Sequence, residues 1–320
     1  FRPAPPGVIE IVPGLEVPGT SSSADRPVTS AFIPPTTTTS VSLMVPSSPV
    51  GAFESSQYLV PTMIALLSPT KTLDWRTPAP TAAREAPRFL EDAAPVADRL
   101  KRLSVDDFST LFGVKEKTAA LAWDRMQKWN PTDHEQEGRP AVFAFSGPVY
   151  QAMDPWSFSS EELEHAQRSF LILSGLYGVL SPLDAIMPYR LDMGAGLEPP
   201  EGAKLVDYWR DRVTAVIAER ARETGAEAVL NLASKEYVQA VDADRLPAPL
   251  IECRFEELKN GAYRQVRNQI KRARGLMASH LARSGATTLE EAKRFRLDGY
   301  SYREDRSDAG TLVFARDTAG

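Results

Sequence analysis

Residues 63–75 read MIALLSPTKTLDW, and this stretch decides where the fold begins and what class it belongs to. Its first part is an uninterrupted apolar run, which is typical of a strand buried on both faces of a sheet. The run ends in a polar turn that carries Ser68, Lys71 and Thr72. The pattern therefore predicts a central strand that opens the folded part of the chain at Met63.

The 62 residues before Met63 have a different composition. They hold 11 of the 26 prolines of the chain, together with the tracts GTSSSADRP and PPTTTTS. Frequent proline removes backbone hydrogen-bond donors, and a segment rich in Ser, Thr and Gly cannot form a buried face. No positively charged start precedes an apolar core, so a secretory leader is not indicated. We expect residues 1–62 to be a disordered Pro/Ser/Thr-rich extension and residues 63–320 to form one domain.

The composition of the whole chain limits the classes of protein to be considered. With 320 residues, 42% of them hydrophobic, the chain can bury a large core. Its formal net charge of −5 means that any site for a polyanion must be a local basic patch. The single cysteine, Cys253, excludes an intramolecular disulfide and fits a reducing compartment. No apolar run reaches membrane-spanning length, so we expect no membrane role.

Strand-like and helix-like segments alternate after Met63, without internal repeats. We predict two further buried strands over 140–147 and 227–234, and hairpins around Asn260-Gly261 and Ala309-Gly310. Helical spacing, caps and stop signals predict helices over 87–102, 104–112, 115–129, 159–175, 205–225 and 271–285. This order predicts a single mixed α/β (α+β) domain with a central sheet and helices around it.

The three predicted strands end in short polar turns, and ligands of α/β proteins collect at the carboxyl ends of strands. Such turns could hold a phosphate or a carboxylate, or their side chains could simply cap the turns. The candidate side chains are Ser68, Lys71 and Thr72 after the first strand, Ser146 and Tyr150 after the second, and Asn231, Ser234 and Tyr237 after the third.

The densest positive charge lies in residues 263–275, YRQVRNQIKRARG, which contain no acidic residue. We expect Lys271, Arg272 and Arg274 to share the first turn of a helix, where their charges oppose the helix dipole unless an anion is near. The cluster therefore favours a phosphate or polyanion site, and a solvated helix face is the alternative.

Residues 111–119, LFGVKEKTA, approach the pattern of a helix-hairpin-helix DNA-binding element. In that pattern an apolar-Gly-apolar-Gly hairpin precedes a basic residue and Ala. Here Lys115 replaces the second glycine, which hinders close approach of the backbone to a phosphate but adds a cation. Gly113, Lys115 and Lys117 are the candidate DNA contacts, and an ordinary turn between two core helices is the alternative.

Metal sites and activated nucleophiles have little support in the sequence. The three histidines, His134, His165 and His280, are far apart, and none belongs to a helical metal-binding motif. No G-x-S-x-G turn nominates a nucleophilic serine. We assign no metal and no cofactor, and direct iron binding through carboxylates has the least support of the functions considered.

Seven segments between Met63 and about Arg316 together resemble the peroxide stress protein YaaA family. The resemblance implies a cytoplasmic bacterial protein that limits oxidative damage during hydrogen peroxide stress and is associated with lowering unincorporated iron. It also implies a single-domain mixed α/β fold with a positively charged cleft, a helix-hairpin-helix element and DNA binding. The segments are LLSPTKTLDW, FAFSGPVYQAMD, LSGLYGVLSPLDAIMPYRLDMG, DYWRD, VLNLASKEY, KRARGLMASHL and GYSYREDRSDAGTLVFAR.

The resemblance implies that the residues of this chain at the matching motif positions correspond to the residues of the family's cleft. Two departures stand out: Ser146 occupies a place that is often basic in the family, and Asn268 and Gln269 stand where aromatic residues are common. The cleft residues are Ser68, Lys71 and Thr72, then Tyr189 and Arg190, then Asn231, Ser234 and Tyr237, and finally Lys271, Arg272, Arg274 and Gly275.

Two functions follow from these observations. The first is sequence-independent binding of duplex or bubble DNA by a peroxide-stress protein, through the hairpin and the basic cluster. The second is an enzyme that acts on a small phosphorylated, nucleotide-like or nucleobase-like ligand in the cleft, with Lys71 or Tyr237 as the proton-transfer group. The sequence itself nominates no reaction.

Overall fold

A mixed β-sheet forms the centre of the fold in a computed structural model that describes residues 63–201 and 204–317. The extension predicted over residues 1–62 lies outside the described residues. The strands are β1 (Met63–Leu67), β2 (Arg139–Pro140), β3 (Phe170–Ser174), β4 (Gly178–Leu180), β5 (Ala185–Ile186), β6 (Ala228–Asn231), β7 (Leu250–Lys259), β8 (Ala262–Arg264), β9 (Ser301–Tyr302) and β10 (Thr311–Arg316).

The sheet has the strand order β4-β3-β1-β6-β7-β10-β9, and β8 pairs with the end of β7. The five inner strands β3, β1, β6, β7 and β10 are parallel to one another. The outer strands β4 and β9 run antiparallel, and β2 pairs with β5 in a separate two-stranded sheet. The prediction of a mixed α/β domain with a central sheet is therefore confirmed.

Helices surround the sheet, and their packing explains why β1, β3 and β6 are buried along their whole length. Helices α7 and α8 pack on β1, and α10 packs on β7. The helices are α1 (Leu90–Lys101), α2 (Val105–Phe112), α3 (Glu116–Lys128), α4 (His134–Glu137), α5 (Ala141–Ala144), α6 (Pro148–Met153), α7 (Ser160–Ser169), α8 (Leu205–Thr224), α9 (Lys235–Val238), α10 (Arg267–Ser284) and α11 (Leu289–Ala292).

The predicted caps and turns are confirmed where local chemistry dictates them. Ser104 and Asp107 form a capping box at the start of α2, and Gly113 ends that helix in the left-handed region with φ 58°. In the β7–β8 hairpin, Asn260 and Gly261 adopt φ values of 52° and 75°. Both central residues of this turn have positive φ, as a tight two-residue hairpin requires.

The strand predicted over 140–147 is wrong. Residues 141–144 form the short helix α5, and only Arg139–Pro140 is extended, as β2. Every residue from 141 to 145 is buried, and a short buried apolar run does not distinguish a strand from a turn of helix. The strands that pair with β1 are β3 and β6.

The single helix predicted over 159–175 is wrong in its second half. Its capped start is confirmed, because Ser159 Oγ accepts a hydrogen bond from the Glu162 backbone N–H at 3.2 Å. The helix ends at Ser169, however, and Phe170–Ser174 continue as β3. Aromatic and β-branched residues in this segment favour a strand once a neighbouring strand is available, and the chain pattern alone does not reveal that neighbour.

Helix α10 lies in close contact with α6, and Gly275 makes this approach possible. A Cβ atom at Gly275 would lie 2.1 Å from the Val149 carbonyl oxygen and 2.8 Å from Ala152 Cβ. Both distances are shorter than van der Waals contact. The glycine of the basic motif is therefore required by helix packing.

Asp184 is a buried carboxyl group beside β5. Its Oδ2 accepts a hydrogen bond from the Ser181 backbone N–H at 2.9 Å, and its side chain is otherwise removed from water. Burial, with a smaller contribution from the charge of Glu85, raises the pKa of Asp184 to about 7, and Ser181 and Arg220 act in the opposite direction. The folded protein therefore binds this proton more tightly than the unfolded chain does.

The Gly275→Ala substitution should destabilise the protein by about 1–3 kcal/mol, because the new methyl group forces α10 away from α6. The measurement is the free energy of unfolding from urea denaturation. Gly196→Ala is the matched control, since a Cβ at Gly196 meets no atom within 4 Å. Equal stabilities of the two variants would show that the contact between α10 and α6 tolerates the extra atom.

The Asp184→Asn variant should lose a pH dependence that the wild type shows. With a folded pKa above the unfolded one, the contribution of Asp184 to the wild-type free energy of unfolding is fully present below about pH 4 and is lost as the pH rises to about 7. The asparagine is neutral throughout and still accepts the hydrogen bond from Ser181. The stability advantage of the variant should therefore grow by several kcal/mol, on the order of 3, between pH 5 and pH 8. Parallel pH profiles in chemical denaturation would contradict this assignment.

Candidate functional site

The carboxyl ends of β3, β1 and β6 meet at one edge of the sheet, because these three parallel strands are adjacent. The register pairs Leu67 with Ile172 and Leu66 with Asn231. The turns that follow the strands therefore start side by side. This edge is the position where α/β proteins bind ligands.

Ser68 joins the turns after β1 and β6. The Ser234 backbone N–H donates a hydrogen bond to Ser68 Oγ at 2.8 Å, and the Tyr150 hydroxyl donates to the Ser68 carbonyl oxygen at 3.1 Å. Asn231 Oδ1 accepts from the Ala233 N–H at 2.9 Å, so this side chain holds its own turn. The structure thus brings Ser68, Tyr150, Asn231 and Ser234 together.

A chain of polar contacts runs through Asp192. Its Oδ2 lies 2.7 Å from Lys71 Nζ, and its Oδ1 accepts a hydrogen bond from the Tyr237 hydroxyl at 3.3 Å. Burial raises the pKa of Tyr237, and the Asp192 charge raises it further. The phenol therefore stays protonated and serves as a hydrogen-bond donor. Sequence reasoning missed Asp192, although this residue lies inside the quoted segment that carries Tyr189 and Arg190.

The turn after β3 is built on Ser174 and Tyr189. Their hydroxyl groups are 2.8 Å apart, and Ser174 Oγ also accepts from the backbone N–H groups of Leu176 and Tyr177. Tyr189 is buried, and burial raises its pKa well above its ordinary value. This hydroxyl is therefore a neutral structural group at the third strand end.

Ser146 reaches the site although its segment is not a strand. Its backbone N–H donates to the Thr72 carbonyl oxygen at 2.9 Å. The next residue, Gly147, is pressed against the first turn, since a Cβ there would lie 2.2 Å from Thr70 Oγ1. The turn that contains Ser146 therefore lines the turn that contains Lys71 and Thr72, and Lys71 and Thr72 themselves are exposed.

The basic cluster of α10 is placed differently from the prediction. The helix begins at Arg267, so Lys271, Arg272 and Arg274 lie in its second turn and not at its N-terminus. Lys271 is exposed, whereas Arg272 Nε lies 3.2 Å from Asp298 Oδ2. The expected conflict with the helix dipole is correspondingly weaker, because that effect is confined to the first turn.

Arg274 is the member of the cluster that reaches the interior. Burial lowers its pKa, and Cys253 and Glu252 on β7 lie near enough to raise it. Its Nε is buried and has no hydrogen-bond partner among the described residues. Glu252 on β7 lies next to Asn231 on β6 in the register of these parallel strands. Arg274 therefore approaches the strand-end site from the side of β7. Burial also raises the pKa of the Cys253 thiol to about 12.

The segment 111–119 joins α2 to α3 through residues 113–115. The N–H groups of Gly113 and Val114 already bond to carbonyl oxygens of α2, at 3.4 Å to Thr110 and 3.1 Å to Ser109. Lys115 and Lys117 are exposed, and neither forms an ion pair within the described part of the chain. At this turn the ammonium groups of Lys115 and Lys117 are therefore available to a ligand, whereas the backbone N–H groups of Gly113 and Val114 already have hydrogen-bond partners.

Arg190 lies against this pair of helices. Its guanidinium carbon is 5.3 Å from the centre of the Phe112 ring, at the end of α2. Its charge also lowers the pKa of Arg125 on α3, after the larger effect of burial. The sequence does not indicate a role for Arg125, because a basic residue within an amphipathic helix usually faces solvent.

The described residues contain neither a candidate metal cluster nor a candidate membrane span. No group of three or more His, Cys, Asp or Glu side chains between residues 63 and 317, apart from the undescribed 202–203, is arranged to hold a metal ion. Among the same residues no helix is long and apolar enough to cross a membrane. The carboxylate iron site that was considered from the sequence therefore has no counterpart in this part of the chain.

Comparison with known proteins gives a consistent match. The family model described as peroxide stress protein YaaA matches residues 63–306, which include every candidate residue discussed above. A UPF0246 protein of Hahella chejuensis is 42% identical over 255 residues, covering 80% of this chain and 100% of the relative. UPF0246 proteins of Aliivibrio fischeri and Teredinibacter turnerae are 40% and 39% identical, covering 80% and 79% of this chain and 98% and 99% of the relatives.

Proposed function

Because the chain belongs to the peroxide stress protein YaaA family, we propose that it is a cytoplasmic protein of the peroxide-stress response. In this role it limits oxidative damage, and its activity lowers unincorporated iron in the cell. It associates with DNA without reading the sequence. The first two parts rest on the family, and the DNA contact rests on the charges of this chain.

The observation that carries the DNA contact is the pair of exposed lysines at the turn between α2 and α3. Lys115 and Lys117 project from a chain with a net charge of −5 and have no carboxylate partner among the described residues. Lys271 on α10 is exposed and unpaired in the same way. Exposed lysines of this kind bind the phosphates of a DNA backbone. Such contacts position the protein on the DNA without distinguishing one base from another. The turn between α2 and α3 then acts as a helix-hairpin-helix element with one cation in place of a glycine.

The proposal predicts a salt-dependent affinity that falls when Lys115 and Lys117 are removed. Each phosphate contact contributes about one unit to the slope of log affinity against log salt, so the Lys115→Gln/Lys117→Gln double variant should lose about two. Fluorescence anisotropy with duplex and bubble oligonucleotides measures the slope.

In bacteria that lack their own family member, the wild-type chain should restore survival under peroxide and reduce chelatable iron, and the double variant should restore both poorly.

Lys128→Gln is the matched control for this experiment. Lys128 lies on α3, as Lys117 does, but it is paired with Asp124 at 2.8 Å. Its loss should therefore leave the slope of log affinity against log salt unchanged. A wild-type affinity that barely changes between low and physiological salt would refute the DNA contact. Full protection by the double variant would separate the peroxide role from DNA binding.

The polar chain at the strand ends favours a second candidate function. Lys71, Asp192 and Tyr237 form a connected set at the edge of a parallel sheet, and passive contact with DNA does not require such a set. We propose as the alternative that this site binds a small phosphorylated or nucleobase-like ligand, on which the protein acts as an enzyme. In the free protein Asp192 forms an ion pair with the ammonium group of Lys71. The same ammonium group would bind the anionic group of the ligand.

The Asp192→Asn variant should bind adenosine monophosphate more tightly than the wild type, because the Lys71 ammonium loses its internal counter-ion. Partly exposed ion pairs are worth about 0–1 kcal/mol, so the gain should be up to about fivefold. Isothermal titration calorimetry measures it. Asp207→Asn, which breaks an exposed pair with Arg210, is the control for the change in net charge. The absence of nucleotide-dependent heat in the wild type and in Asp192→Asn would count against this candidate.

A further inference from the structure

The hydroxyl group of Tyr177 joins three segments in the interior of the fold. Its oxygen lies 2.7 Å from Trp129 Nε1, 3.1 Å from the Met187 backbone nitrogen and 2.9 Å from His134 Nε2. All four residues are buried. One oxygen atom therefore connects the end of α3, the start of α4 and the segment that follows β5.

The donors around this oxygen determine the tautomer of His134. The indole N–H of Trp129 and the backbone N–H of Met187 can only donate, so they use the two lone pairs of the phenol oxygen. The hydroxyl hydrogen of Tyr177 is then donated to His134 Nε2, which must carry no proton to accept it. The proton of the neutral imidazole is therefore on Nδ1, which donates to the Asn130 carbonyl oxygen at 3.0 Å.

A second proton on His134 has no acceptor in this arrangement. The new Nε2–H would point at an oxygen whose lone pairs are used, and the Tyr177 hydroxyl hydrogen would lose its own acceptor. Ionisation of Tyr177 does not resolve the conflict, because burial raises the pKa of this phenol well above its ordinary value. Burial also lowers the pKa of His134, against smaller effects of the Asn130 and Pro131 backbone and of the Asp133 charge. An imidazolium can form only if the bonds to Tyr177 break.

The charged groups on the neighbouring elements do not supply the missing acceptor. Asp133 directly precedes α4, and its Oδ1 already accepts from Asn130 Nδ2 at 3.1 Å and from Thr132 Oγ1 at 3.0 Å. On α1 the Lys101 ammonium lies 5.5 Å from the centre of the Trp129 ring, and a cation opposes a further positive charge nearby. The remaining carboxylates are Asp184, which precedes β5 and is bonded to Ser181, and Glu135 and Glu137, which are exposed on α4 itself.

Tyr177 also holds the segment that supplies the candidate site. Its ring packs edge-on against Tyr189 with 5.3 Å between the ring centres, and the Tyr189 hydroxyl lies 2.8 Å from Ser174 Oγ. The segment 187–192 begins at the Met187 N–H bond to Tyr177 and ends at Asp192, which reaches Lys71 and Tyr237. Loss of the bond at Met187 would therefore free this segment at its first anchor.

We propose that His134 is a positioning residue for the candidate site. As the Nδ1–H tautomer it holds Tyr177 and, through Tyr177, residues 187–192, and uptake of a proton by His134 releases this segment. The release is a property of the fold, whereas its effect on a bound ligand rests on the proposed small-ligand function. The site is therefore assembled at neutral pH and loosened in acid.

NMR of the full chain labelled with 15N-histidine tests the tautomer. The chain has three histidines, and the His134→Gln variant identifies the signals of His134 by their loss. At neutral pH the wild-type His134 should carry its proton on Nδ1 and none on Nε2. A proton on Nε2 at neutral pH would overturn the proposal, and this result needs no folded variant once the signals are assigned.

A pH titration with 15N-methionine and 13C-tyrosine labels follows the segment itself. Below the ordinary histidine pKa of about 6.5, the Met187 amide and Tyr189 ring signals should shift with the same midpoint as His134. His134→Gln keeps an acceptor oxygen but takes up no proton, so both signals should stay at their neutral-pH positions. His280→Gln is the matched control and should keep the wild-type transition, because His280 Nε2 contacts the Glu291 carbonyl oxygen at 3.3 Å and not Tyr177.

Three results of this titration would overturn the release. The Met187 and Tyr189 signals could stay unchanged while His134 titrates, their shifts could persist in His134→Gln, or the wild type could unfold as a whole before His134 takes up a proton. The Asp184 titration does not interfere, since its pKa of about 7 is above the range in which His134 should titrate.

Calorimetric titration with adenosine monophosphate over the same pH range separates this inference from the proposed small-ligand function. An affinity that falls through the His134 transition in the wild type, and not in His134→Gln, supports the positioning role. An affinity that does not change through the transition would overturn that role. Absence of binding at every pH would refute the small-ligand function, and the NMR signals of Met187 and Tyr189 would then decide the inference by themselves.

Discussion

The arrangement around the end of β1 is the constraint on which the candidate site depends. Strand β1 lies between β3 and β6, so its end meets the ends of both neighbours. Ser68 then fixes the geometry, since its Oγ accepts the Ser234 N–H and its carbonyl oxygen accepts the Tyr150 hydroxyl. A buried backbone or hydroxyl group without a partner would cost about 1–3 kcal/mol, so these bonds hold the turns in one position.

Some of the cations of this protein are neutralised internally. Lys71 is paired with Asp192, and Arg272 is paired with Asp298. Other cations have no carboxylate partner among the described residues, although a protein with net charge −5 has acidic groups to spare. Within the described residues such cations include Lys115 and Lys117 at the α2–α3 turn and Lys271 on α10.

The sequence identified several residues that the fold brings together, but it did not predict the whole path of the chain. Ser68, Lys71 and Tyr237 follow strands β1 and β6 that are recognisable from their apolar runs, and they do lie together. Ser146 was placed at the site through a strand that does not exist, because the buried run at 141–145 forms a turn of helix. The sequence did not identify Asp192 or Arg125. Each interacts with a residue that is distant in the chain: Asp192 with Lys71, and Arg125 with Arg190.

Local chemistry determined the features that need only neighbouring residues. The Ser104 cap, the left-handed Gly113 and the Asn260-Gly261 turn are fixed by side-chain hydrogen bonds and by backbone sterics within a few residues. The mixed α/β class followed from the alternation of apolar runs with helical periodicity. Only the tertiary structure decided that Phe170–Ser174 is the strand beside β1 and that Gly275 is needed for helix packing. The physical reason is that burial and pairing depend on segments far apart in the sequence, and no local pattern encodes which segments will meet.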